Sequence, residues 1–125
     1  MDSKQKQYYR DMCNKERGYL FVKNDHLVAV LTFFIGNSES RYLRRIPWTV
    51  IDDNPEGETV YIDQLLVKDH TGHGCIHREF KQFLKWIKEK FPNVKRAKWV
   101  RVNAAFRKHG LKEGVKSNVH TKNIE

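Results

Sequence analysis

Little in this chain ties it to a membrane, a secretory route or a disulfide framework. Two cysteines in 125 residues, Cys13 and Cys75, have no patterned spacing, so they read as reduced thiols and not as a cross-linked scaffold. No stretch approaches the roughly 18–20 uninterrupted apolar residues that span a bilayer. The opening MDSKQKQYYRDMC has no apolar core of the secretory kind. A cytoplasmic protein without a membrane partner is the expectation. Proline is scarce at three residues, and no Ser/Gly-rich linker or internal repeat interrupts the chain, so one domain over residues 1–125 is expected.

Acidic residues are sparse in the second part of the chain. From Arg78 to Glu125 there are 14 Lys or Arg against 4 Asp or Glu, a balance of +10, whereas residues 1–77 carry 10 against 11, a balance of −1. The net charge of +9 is therefore C-terminal. Such a block attracts polyanions, whether nucleic acid, acidic protein or a nucleotide cofactor, and also keeps a protein soluble.

Apolar periodicity sets out a mixed order of elements. Ser3 to Glu16 reads as a helix with Gly18 after its last turn. YLFV (19–22) and LVAVLTFFI (27–35) flank Lys23-Asn24-Asp25-His26 as a hairpin would. RYLRRIPW holds a short turn or partial helix ending before Pro47; WTVI (48–51) and TVYIDQLLV (59–67) read as strands around the turn chemistry of DDNPEGE. From about Cys75 to Lys90, Ile76, Phe80, Phe83, Leu84, Ile87 and Phe91 recur at helical spacing, and Pro92 stops the run. VKRAKWVRV (94–102) reads as a strand and Ala104 to His109 as a short helix closed by Gly110. The tail after Gly114 has weak strand character. Strand, glycine turn, helix, strand is a βαβ unit, which implies a parallel pair within an α/β domain.

The glycine turn carries the chemistry. Gly72 and Gly74 precede a helix, whose N-terminus offers unpaired amides and partial positive charge to a phosphate. By itself G-x-G is a weak signal. In context, YIDQLLVKDHTGHGCIHREFKQFLKWIKE resembles the acetyl-CoA segment of the GNAT superfamily of N-acetyltransferases: Ile62, Asp63, Leu65 and Val67 match its strand, and Gly72-His73-Gly74 its loop. AFRKHGLKEG (105–114) is similar to the later Tyr-x-Lys-x-Gly-Phe segment, with Phe106 where many members carry tyrosine, and no Arg or Gln opens the loop.

The resemblance implies a GNAT-like mixed central sheet with a βαβ unit and an acyl-CoA cofactor, acetyl-CoA first. Thr71, Gly72, His73, Gly74 and Cys75 would hold its diphosphate and the edge of Leu65, Leu66 and Val67 its pantetheine arm. Arg78 or Lys108 would meet further phosphate charge, with Lys81 in the same neighbourhood. Catalysis would be positioning of an amine against the thioester, with Asp63 as candidate base and His70 and Asp69 as nearby alternatives. For Asp63, a solvated strand acid or salt-bridge partner is the competing reading.

Other constellations are weaker. His70, His73, Cys75 and His77 are zinc-type ligands, but four ligands within a turn and the start of a helix can rarely surround one ion, so no metal is expected. His73 with Cys75 as a thiol and base serves no step of the implied reaction. WVRVNAAFRKHG mixes aromatic and basic residues as single-strand nucleic-acid binders do, although Trp99 and Phe106 suit a core equally well. Arg41, Arg44 and Arg45 beside Tyr42 form a second basic patch whose target the sequence does not name. The reading reached is an acyl-CoA-dependent N-acyltransferase acting on an amine, the basic portion suiting nucleic acid or an acidic protein as acceptor or partner. The alternative is an inactive GNAT-fold binding module. A homodimer is compatible with the pattern and not required by it.

Overall fold

A two-residue turn launches the sheet. Asn24 and Asp25 both take positive φ, 52° and 64°, which is the type I′ geometry that matches strand twist. Around that turn β1 (Gly18–Lys23) and β2 (His26–Gly36) pair antiparallel with Lys23 opposite His26. The structure is a computed structural model and describes residues 2–43, 45–67, 73–101 and 118–124. Its remaining elements are α1 (Ser3–Asn14), α2 (Glu39–Leu43), β3 (Thr59–Val67), α3 (His73–Lys90), β4 (Arg96–Arg101) and β5 (Asn118–Asn123).

Among the described residues five strands form one sheet in the order β1-β2-β3-β4-β5. β3 and β4 are parallel, as the βαβ pattern requires, with α3 between them in the chain; the other neighbouring pairs are antiparallel. β2 is sandwiched, which explains its unbroken apolar run. Leu31, Phe33 and Ile35 join Phe83, Leu84 and Ile87 of α3, and Phe91 just past its end, in one core. Phe34 lies in a second, with Tyr8 and Met12 of α1, Tyr42 of α2 and Tyr61 of β3. The helical spacing read from Phe83 to Phe91 is thus the buried stripe of α3, continued by Phe91 just past the helix end. Among the described residues no helix is long and apolar enough to cross a membrane.

Three expectations need correction or completion. WTVI (48–51) forms no strand: Trp48 has φ 65°, incompatible with extended pairing, and Trp48, Val50 and Ile51 pack on the Tyr8 cluster instead. Their apolar character reflects side-chain burial, not a ladder. The tail is a full strand, with Asn118 to Asn123 pairing β4 rung by rung from Arg101 to Arg96. α3 begins at His73, so Gly74 and Cys75 belong to its first turn and not to the preceding loop. The short helix expected at 104–109 lies outside the described residues.

The 52–58 turn is fastened to the end of β2. Ile35 donates its N–H to Asp53 Oδ2 at 2.7 Å, and its carbonyl accepts from Asn54 N at 2.9 Å. Arg17 grips both oxygens of Asp53, Nε to Oδ2 at 2.8 Å and Nη2 to Oδ1 at 3.0 Å. Gly57 follows, so close to Gly36 that a Cβ there would sit 2.4 Å from the Gly36 Cα. Backbone cannot yield as a flexible side chain can, so Gly57→Ala is expected to lower stability by roughly 1–3 kcal/mol, the cost of overpacking. Urea unfolding checks this, and an unchanged midpoint would show that the turn absorbs a methyl group.

Candidate functional site

The parallel pair does not stay paired. β3 and β4 match from Thr59↔Arg96 to Ile62↔Trp99. Beyond that rung, among the described residues, Gln64–Val67 pair with β2 alone, while Val100 and Arg101 pair with β5. Among the described residues the facing edges of β3 and β4 therefore part after Ile62. Main-chain groups on a parted edge have no ladder partner there, and an extended ligand can supply one.

Asp63 stands at the point of parting. Along β2 the partner of Thr32 is Gln64 and that of Phe33 is Ile62, so Asp63 is the extra residue of a β-bulge. A bulge re-aims a side chain, and here it directs Asp63 onto the face covered by α1. Two donors from outside the sheet converge on its Oδ2: the Tyr8 hydroxyl from α1 and Arg45 Nη2 from the segment after α2. Among the described residues no donor meets Oδ1. Tyr8 Oη also lies 2.6 Å from Thr32 Oγ1, which in turn accepts from the Gln64 N–H at 3.1 Å. The bulge of β3, the helix α1 and the neighbouring strand β2 thus share one hydrogen-bonded group.

Burial governs the electrostatics of this group. The side chains of Arg45 and Asp63 are only 8% and 12% exposed. Burial pushes the Asp63 carboxyl above its ordinary range, and the Arg45 charge and the Tyr8 hydrogen bond pull the other way without cancelling it. Burial, then the nearby Asp63 charge, holds the Tyr8 phenol far above its ordinary value, so it stays protonated. Tyr9 is raised by the same two causes in the same order. Arg45 also donates Nη1 to the Ile46 carbonyl at 3.1 Å and lies over the Phe34 ring at 4.8 Å, while its Nε is buried without a partner among the described residues.

Leu65 and Leu66 follow the bulge, opposite Leu31 and Val30, and both are exposed. For Val67, His73, Gly74, Cys75 and Arg78 the description covers the backbone alone, placing Val67 at the end of β3 and the other four in the first turns of α3. His70, Thr71, Gly72 and Lys108 lie outside the described residues, as do Asp69 and Phe106. Among the described residues no group of three or more His, Cys, Asp or Glu is placed to hold a metal.

Tyr8, Thr32 and Arg45 are the residues that pattern reading missed. Arg45 carried a signal, as part of a basic patch near Tyr42, but nothing local in the chain turns it inward. It is buried against Asp63, whereas Arg41 of the same patch reaches the Asp52 carbonyl at 2.9 Å.

No family model matches the chain, and no curated protein matches it. Among solved structures, the GNAT-like decarboxylase GphF in complex with isobutyryl-CoA is similar, at 17% sequence identity and a TM-score of 0.54 over 82% of this chain. The match takes in 55% of that chain, so the present chain spans about half its length. With its five-stranded mixed sheet parting at a bulge before the crossover helix, the chain has a GNAT-like α/β fold.

Proposed function

We propose that the chain is an acyl-CoA-dependent N-acyltransferase, with acetyl-CoA as its first candidate cofactor. The observation that carries this reading is the parting of β3 from β4 beyond Ile62, with α3 following β3. A pantetheine arm laid along Leu65, Leu66 and Val67 would take up the strand edge that β4 leaves. The first N–H groups of α3, at Gly74 and Cys75, have no acceptor one turn back within the helix and would meet the diphosphate together with Thr71 and Gly72. The acyl-CoA ligand of the GphF structure supports this class of cofactor.

In the reaction an amine nitrogen attacks the thioester carbonyl, the C–N bond forms and the C–S bond breaks. Asp63 would accept the proton released by the amine. A carboxyl raised by burial is a better base than a solvated one, once ionised. The departing CoA thiolate takes its proton from solvent, since Phe106 cannot donate one. The C-terminal positive charge suits an amine carried by an acidic macromolecule or its protein partner.

A second reading, a binding module without transfer chemistry, draws on the engagement of Asp63 Oδ2 by two donors. The two separate on one assay: release of free CoA thiol from acetyl-CoA with a panel of small and protein-borne amines. Amine-dependent release is expected. A protein that binds the cofactor yet releases no thiol with any amine would leave the binding module standing.

A further inference from the structure

Asp63 is held by side chains from two segments far from it in the chain, and the manner of holding is costly. Arg45 and Asp63 are both nearly excluded from water, and removing a charged pair from water usually costs as much as the pairing returns. Arg45 Nε adds a buried donor with no partner among the described residues. A fold seeking only stability would fill this space with apolar side chains, as Phe34, Met12 and Tyr61 do around it. The arrangement instead fixes one oxygen of one carboxylate.

We propose that Tyr8 and Arg45 are positioning residues: they pin Asp63 Oδ2 from α1 and from the exit of α2, so that proton acceptance falls to Oδ1 at a fixed place beside the parting of the sheet. This rests on the reading of Asp63 as the base. The titratable and charged groups acting on the carboxylate are Tyr8 and Tyr9 from α1 and Arg45 from the α2 exit, while the uncharged Thr32 bonds Tyr8 behind it. Of these, Arg45 by its charge and Tyr8 by its hydrogen bond favour the ionised form. Together they lower the pH at which Oδ1 becomes available, against the larger opposing effect of burial.

The test follows the Asp63 side-chain carboxyl carbon by NMR during a pH titration of the full chain, which needs no turnover. Arg45→Met is expected to raise the midpoint by roughly 1–3 pH units, the usual effect of removing an adjacent opposite charge. Tyr8→Phe is expected to raise it by less, and Arg45→Lys to restore part of the Arg45→Met shift. Acetyl-CoA affinity, measured alongside by calorimetry, is expected to stay within about twofold, since neither side chain lies on the β3 edge. Where turnover is measurable, the acidic limb of the kcat profile should move with the carboxyl midpoint. A midpoint unmoved in both Arg45→Met and Tyr8→Phe overturns the proposal. If Arg45→Met fails to fold, Tyr8→Phe alone decides. Midpoints moved in the variants, with no transferase activity in the wild-type protein, would sustain the pinning of Asp63 and sink only the acyltransferase reading.

Discussion

Asp53→Ala is expected to destabilise the fold by about 3–5 kcal/mol, because it strands a buried arginine. Asp53 is 8% exposed and Arg17 14%, and both oxygens of the carboxylate are taken by the guanidinium. Oδ2 also accepts the Ile35 N–H, so the substitution leaves a main-chain donor of β2 without its partner. The guanidinium lies over the Phe91 ring at 5.0 Å, beneath the C-terminus of α3, and so has little water to fall back on. For a chain of this size the loss corresponds to a melting temperature lower by roughly 10–20 °C. A compensated pair, Arg17→Met with Asp53→Leu, should recover part of it, since apolar residues of similar volume escape the desolvation cost. Calorimetric melting of the three variants checks this, and an Asp53→Ala midpoint within about 2 °C of wild type would contradict the account of the clamp.

Asp63→Asn is expected to lower turnover by a hundredfold or more, in keeping with the roughly 10²–10⁴-fold worth of a positioned base, with acyl-CoA affinity nearly unchanged. An amide keeps the shape of the carboxyl group and can still accept from Tyr8, but it takes no proton. Unaltered turnover would remove Asp63 from the mechanism.

The same substitution has a signature in stability. Because burial raises the folded-state carboxyl above its ordinary 3.8, the native protein holds that proton at pH values where the unfolded chain has released it. Between those two values the stability contributed by this group falls as pH rises, the reverse of a typical salt-bridged acid. Asp63→Asn should flatten this fall, and denaturant melts between about pH 4 and pH 7 would show it. A wild-type curve no steeper than the variant's would contradict the buried placement.

Most of the scaffold was legible because its elements announce themselves locally. The Asn24-Asp25 turn, the stripe from Phe83 to Phe91 and the strand TVYIDQLLV each follow from a period or a turn preference within a few residues. The failures lie where tertiary contacts decide. Trp48 and its neighbours look like a strand because they are apolar, yet they are held by Tyr8 and Tyr9 of a distant helix. The strand at 118–123 looked weak because its side chains are polar, while its main-chain groups pair fully with β4. Asp63 was visible through its place in a strand motif. Its partners were not, since Tyr8 is 55 residues away and Arg45 18, and nothing local links them. Nor could the parting of β3 from β4 be read from residues, because register is a property of the assembled sheet.

Titration of the protein with acetyl-CoA, followed by thermal stability, tests most directly whether that parted edge is a cofactor site. Saturation at a hundred times the dissociation constant is expected to stabilise the fold by about 2.7 kcal/mol, with free CoA giving a comparable shift. No shift at millimolar concentrations of either would contradict the acyl-CoA site.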